Sequence, residues 1–298
     1  MEIRGIFPAL VTPFASDESV SLSAVQENIR LYNKTAVTGY VVLGSTGETV
    51  MLSREESDAV LGAAKEAAAP HKLLIAGTGA ESTSETIART KRAATLGYLV
   101  ALVKTPYYYK PVYNAETYIR HYRAVADASP IPIVLYSVPQ FTGITLETRE
   151  ILTLAGHPNI VGIKDSSGNI QRVAEIVAGA PTNFCVLTGG SAVIYPAMSV
   201  GARGGILALA SVLPEKCAEV FDLAQRGNHL EARHLQLALA QASKKIVSEN
   251  GIPGVKYAMN LRGFNAGEPR LPLLPLSEEK KRQIAEVVAQ IHPAAASV

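Results

Sequence analysis

Short, unbroken apolar runs alternate along the chain with longer stretches in which apolar residues recur every three or four positions. The runs are "GIFPALVTPF" (Gly5–Phe14), "GYVVLG" (Gly39–Gly44), "KLLIAGTG" (Lys72–Gly79) and "LVALVKTP" (Leu99–Pro106). Four more follow: "IPIVLYSVP" (Ile131–Pro139), "IVGIKDSS" (Ile160–Ser167), "FCVLTGG" (Phe184–Gly190) and "GGILALA" (Gly204–Ala210). Runs of this length without polar alternation suit strands buried on both faces, the state of a parallel sheet. The stretches between them predict helices. "SREESDAVLGAAKEAAA" opens with Ser53 and has Glu56 three residues on, the spacing of a capping box. "ESTSETIARTKRAATLG" ends on Gly97, a helix stop, and "NAETYIRHYRAVADAS" opens on the N-cap residue Asn114.

Eight strand–helix units within roughly 210 residues point to a closed (β/α)8 TIM barrel, a fold of about 200 residues or more. An open doubly wound sheet is the rival, but no G-x-G-x-x-G follows the first strand. From Ser211 onward no strand is evident. "LPEKCAEVFDLAQRG", "NHLEARHLQLALAQASKKIVSEN" and "SEEKKRQIAEVVAQI" read as helices, joined by "GIPGVK" and the proline-rich "GEPRLPLLPL". The expected division is a catalytic barrel over residues 1–225 and a C-terminal helical appendage over residues 226–298.

Composition narrows the class. Of 298 residues, 48% are hydrophobic and 18% charged, the balance of a globular chain rather than a disordered one. A net charge of +2, without a basic run, argues against nucleic acid as a partner and against a membrane surface. Two cysteines, Cys185 and Cys217, lack metal-site spacing and fit a reducing compartment. With no signal-like N-terminus and no long apolar span, the expected location is the cytoplasm. His71, His121, His157, His229, His234 and His292 show no ligand spacing, so neither a metal nor a cofactor is expected.

Active sites of such barrels lie at the C-terminal ends of the strands. These ends are polar here: "GSTGE", "TPYYY", "YSVP", "KDSSG" and "TGG". Lys164 stands out, because an ammonium at the end of a buried strand is costly unless paired. Apolar walls favour the neutral amine, which is a nucleophile toward a ketone. The plainer reading pairs Lys164 with Asp165 or leaves it to solvent. Tyr136 is a candidate proton relay, or simply a core tyrosine. The turn Ser45, Thr46 and Gly47 could cradle a carboxylate, or be an ordinary βα turn. The glycines of "GARGG" could mark a phosphate site; close packing explains them better, with Gly205 and Ile206 at the barrel mouth. Lysine, tyrosine and hydroxyl-rich turn together form a Schiff-base constellation.

On "GSTGE", "TPYY", "YSVPxxTG" and "GIKDSSG", in this order, the chain resembles the dihydrodipicolinate synthase and N-acetylneuraminate lyase family of pyruvate-dependent class I aldolases. The resemblance spans essentially the whole chain. It implies a Schiff base between Lys164 and a small 2-oxo acid, a proton shuttle at Tyr136 and a pyruvate carboxylate at Ser45, Thr46 and Gly47. It implies that Tyr108 completes the relay, reaching into a neighbouring subunit of a homotetramer built as a dimer of dimers. Ile206 would present its carbonyl near the lysine, with Ser137 and Ser166 as further substrate contacts.

Synthases of the family read "YNVPxRTG", whose arginine grips the carboxylate of aspartate semialdehyde. This chain reads "YSVPQFTG", with Phe141 at that place. A phenyl ring cannot replace hydrogen bonds to a charged group, each contributing about 1.5–3 kcal/mol. Together with "HPNIVGIKDSSGN" and "GIPGVK", this resembles 4-hydroxy-2-oxoglutarate aldolase most, and cleavage to pyruvate and glyoxylate is the leading expectation. The alternatives are a synthase with a different carboxylate partner, a 2-oxo-3-deoxy sugar acid aldolase, and a non-catalytic binding protein, which would be expected to have lost Lys164 or Tyr136.

Overall fold

A computed structural model describes residues 3–291. Its eight strands are β1 (Gly5–Pro8), β2 (Gly39–Val42), β3 (Leu73–Gly77), β4 (Val100–Lys104), β5 (Ile133–Ser137), β6 (Ile160–Asp165), β7 (Cys185–Thr188) and β8 (Gly204–Leu207). All neighbouring strands pair in parallel, in the order β1-β8-β7-β6-β5-β4-β3-β2. The two ends of that order meet: Leu10 N–H donates to Val41 O at 2.9 Å and Thr38 N–H to Ile6 O at 2.9 Å. The sheet is therefore a barrel, as its apolar runs predict.

Each strand sits inside its expected run, and the runs overshoot. Beyond Pro8, Leu10 and Val11 stay buried although the ladder has ended. The loops at the barrel mouth are themselves packed, so hydrophobicity alone does not mark where pairing stops. Alternation explains burial on both faces. Phe7, Val41, Ile75, Leu102, Val134, Leu187 and Ile206 fill the barrel interior. Ile133, Leu135, Ile163 and Val186 point outward and pack under the surrounding helices.

Helix ends follow local chemistry. Ser53 accepts from Glu56 N–H at 3.1 Å, and Ser53 N–H donates to the Glu56 carboxylate at 2.9 Å, closing the capping box of helix Arg54–Ala67. Asn114 accepts from Thr117 N–H at 3.0 Å at the head of helix Ala115–Ala128. Helix Thr83–Thr95 stops just before Gly97. "GARGG" holds no cradle: a Cβ on Gly204 would sit 2.0 Å from Gly5 O, so its glycines let β8 approach β1.

The C-terminal third departs from expectation at "GIPGVK". This is not a linker but the start of helix Gly251–Leu261. Pro253 lies in the first turn, where backbone N–H groups have no partner within the helix, so proline costs nothing there. Ahead of it, helix His229–Ala242 runs into a π-helical turn, Ser243–Ser248. The chain continues into helix Glu278–Ile291, and residues 292–298 of the expected appendage lie outside the described residues. This segment is not a separate body. Leu239, Ile246, Val255, Met259 and Ile284 share one core with Ile6, Val42 and Leu207.

Candidate active site

β4, β5 and β6 place Lys104, Tyr136 and Lys164 in register, side by side at one level of the barrel. Alternation then decides which way each neighbour faces. Lys164 points into the barrel mouth and is 4% exposed. Asp165 points outward, where Arg172 Nε meets its carboxylate at 2.8 Å and Ser167 Oγ donates to it. The reading in which Asp165 neutralises Lys164 is thereby excluded. Among the described residues Lys164 makes no ion pair, and its Nζ lies 4.1 Å from the centre of the Tyr136 ring. Lys104, the other lysine at a strand end, is different: its Nζ is held by Glu81 at 2.9 Å.

A cavity of about 440 Å³ opens above Lys164, in the size range of small-molecule sites. Ser45, Thr46, Tyr136, Phe141, Lys164, Ser166 and Ile206 all line it. Tyr136 and Ser45 hydroxyls are 3.4 Å apart, a long contact that could tighten around a substrate. Ser166 and Lys164 are crowded by Gly189: a Cβ there would lie 1.9 Å from Ser166 Oγ and 3.1 Å from Lys164 Cε. Glycine leaves Ser166 its space and spares Lys164 a tight contact, which explains one glycine of "TGG". The far wall comes from the C-terminal segment, through Ser243, Val247, Ser248, Gly251, Ile252 and Val255.

Three expected site residues stand elsewhere. Ser137 is outward-facing by alternation with Tyr136; its Oγ accepts from Leu146 N–H at 3.4 Å, so it cannot contact substrate in the cavity. Gly47 lies behind the turn, its carbonyl taken by Thr12 Oγ1 at 2.7 Å. Tyr108 is 70% exposed, outside the cavity of its own chain, packed edge-on against Tyr109. Glu81 fixes that loop, accepting Tyr107 and Tyr108 N–H groups at 2.9 Å each. Gly205 is absent from the cavity wall, whereas Ile206 belongs to it.

Among the described residues no three His, Cys, Asp or Glu side chains gather as a metal site; His292 lies outside them. No helix among the described residues is long and apolar enough to cross a membrane. A second depression, about 550 Å³, lies between helices Thr83–Thr95 and Ala115–Ala128 and contains no lysine. No local pattern in the chain signals the π-helical wall, nor a buried ion pair behind the turn, Glu48 with Lys256 at 2.7 Å.

Among the described residues, Lys164 is enclosed, without an ion pair and set over the Tyr136 ring in a closed barrel, and comparison with known proteins narrows the family. Residues 2–291 match the dihydrodipicolinate synthetase family. A 4-hydroxy-tetrahydrodipicolinate synthase of Methanococcoides burtonii is 36% identical over 289 residues, covering 97% of this chain and 98% of the relative. One from Methanosphaerula palustris is 39% identical over 290 residues, covering 96% and 98%. Among solved structures, a dihydrodipicolinate synthase of Bacillus anthracis superposes with a TM-score of 0.92 at 29% identity, covering 97% and 98%. A chloride-inhibited dihydrodipicolinate synthase of Acinetobacter baumannii, complexed with pyruvate, gives 0.92 at 32% identity, covering 97% and 99%. With its barrel and nearly its whole length matched, the chain belongs to the dihydrodipicolinate synthetase family and is a pyruvate-dependent class I aldolase-type enzyme.

Proposed function

We propose that the protein forms a Schiff base between Lys164 and pyruvate, and condenses the resulting enamine with aspartate semialdehyde, as 4-hydroxy-tetrahydrodipicolinate synthases do. The observation that carries the chemistry is the enclosed Lys164 amine, unpaired and set against Tyr136. Nζ adds to the ketone carbon, water leaves, and an imine forms. Loss of a methyl proton gives the enamine, whose carbon attacks the aldehyde. Tyr136 stands where protons must move in both steps, with Ser45 Oγ beside its hydroxyl. The Ser45–Thr46 turn takes the pyruvate carboxylate. The shared name of the full-length relatives supports the synthase reaction over the aldolase expected from motif alone.

One observation favours a second reading, cleavage of 4-hydroxy-2-oxoglutarate to pyruvate and glyoxylate. Phe141 occupies the mouth, 64% exposed, and among the described residues Lys164 is the only cationic side chain lining the cavity. A second carboxylate would meet the hydroxyls of Ser166, Ser243 and Ser248 instead of a guanidinium. The active assembly is a homo-oligomer in which Tyr108, exposed beside Tyr109 and Val112, reaches a neighbouring subunit's site.

Borohydride trapping with pyruvate tests the common step: wild type gains a pyruvate-derived mass on Lys164. Lys164→Ala gains none and loses nearly all turnover while keeping its fold; substantial remaining activity refutes the Schiff base. Two assays on one preparation then separate the readings. Condensation of pyruvate with aspartate semialdehyde exceeding pyruvate release from 4-hydroxy-2-oxoglutarate supports the synthase, and the reverse supports the aldolase.

A further inference from the structure

The turn that lines the cavity with Ser45 and Thr46 is gripped from the far end of the chain. Glu48 follows it directly and donates its N–H to Ser45 O at 3.1 Å. Its backbone is left-handed, φ 54° and ψ 30°, a region disfavoured for any residue with a Cβ. Its carboxylate is buried to 1% exposure against Lys256 Nζ, itself 1% exposed, and the other oxygen accepts Arg270 N–H at 3.0 Å. Lys256 also donates to Glu268 O at 2.9 Å and lies 4.4 Å from the Phe14 ring centre. Arg270 holds the next turn as well, through Met51 O at 2.9 Å and Glu56 at 2.6 Å.

A buried ion pair is a poor source of stability, because desolvation offsets the attraction; well-packed apolar residues often do as well. What the pair supplies here is direction. It fixes one strained residue at the end of the turn whose side chains face Lys164, while Thr12 fixes the residue before it.

We infer that Lys256 is a positioning residue: through Glu48 it holds the Ser45–Thr46 turn in the geometry that binds the substrate's carboxylate. This rests on the reading that the turn receives the pyruvate carboxylate. The sign of the effect is diagnostic. Removing the Glu48 charge leaves Lys256 uncompensated, and electrostatics alone would then draw an anion more tightly. A lost position weakens anion binding instead.

The experiment measures half-saturation of borohydride trapping on Lys164 for pyruvate and for hydroxyacetone, a ketone without a carboxylate. It uses wild type, Glu48→Gln and Lys256→Arg, with circular dichroism to verify the fold. In Glu48→Gln the pyruvate value rises about tenfold or more, the loss expected for a charge-assisted hydrogen bond, while hydroxyacetone stays within about twofold. Lys256→Arg, which keeps the charge but not the reach, shows a smaller rise for pyruvate alone. An unchanged or tighter pyruvate value in both variants overturns the inference, as does equal weakening of both ketones. If neither variant folds, the pair is a folding requirement and the positioning role falls. Failure of wild type to trap pyruvate at all refutes the Schiff-base reading itself, a result separable from these.

Discussion

Lys104 ends buried strand β4 and Lys164 is the penultimate residue of buried strand β6, and their local sequences, "LVK" and "GIK", do not separate a structural lysine from a nucleophile. Their partners do. Glu81 compensates the first, whereas the carboxylate beside the second is turned outward to Arg172. Tyr136 illustrates the same dependence on surroundings. Its ring packs against Lys164 and only its hydroxyl can carry protons, so Tyr136→Phe preserves the packing and removes the relay. We expect its kcat to fall by about 10²–10⁴-fold, the usual weight of general acid–base help, with the pyruvate adduct still trappable. Stopped-flow and single-turnover trapping check this. Phe141 is a second residue-scale test. Phe141→Arg would place a guanidinium at the cavity mouth and raise kcat/KM for aspartate semialdehyde about tenfold or more. Unchanged selectivity against 4-hydroxy-2-oxoglutarate would remove Phe141 as a specificity determinant.

Elements were legible where the chemistry is local. The cap at Ser53, the cap at Asn114 and the stop at Gly97 each depend on residues within a few positions, and each stands where the pattern puts it. "GIPGVK" misleads because glycine and proline mark a break only when the position in the helix is known; in a first turn they are tolerated. Contacts between elements add what no window contains. His121, on helix Ala115–Ala128, bonds Thr83 Oγ1 at 2.9 Å from the neighbouring helix. Burial, reinforced by the nearby Lys104 charge and opposed by Glu81, pushes its pKa down to about 4 from 6.5. The unfolded chain therefore takes up a proton that the folded chain refuses between those values. Stability is lost as pH falls through 6.5 toward 4, by up to about 3 kcal/mol at the lower end. Thermal melts of wild type and His121→Gln across this window check it: the variant should show a shallower decline.

At the scale of the whole molecule, the C-terminal segment is a wall of the site and part of the core. Leu239, Ile246, Val255, Met259 and Ile284 are buried in the cluster that also holds β1, β2 and β8 residues. At about 1.5–3 kcal/mol for each large apolar side chain, exposing these five costs roughly 8–15 kcal/mol. That is comparable with the entire stability of an ordinary domain, about 5–15 kcal/mol. A chain ending at residue 225 is therefore expected not to fold cooperatively, as judged by urea denaturation. A cooperative transition in that fragment would establish the barrel as an independent unit.

The sequence by itself determined the barrel, because burial on both faces leaves an unbroken apolar run wherever a central strand must lie. It determined Lys164, Tyr136, Ser45 and Thr46 as candidates, because strand ends are where such a run turns polar. It could not place Ser137, since a side chain's face depends on where the ladder's two-residue period begins. Nor could it pair Glu48 with Lys256, 208 positions apart, or bring Ser243–Ser248 to the mouth above Lys164. Those contacts arise only when the barrel closes and the C-terminal helices fold back across it, and no local pattern records a distance that long.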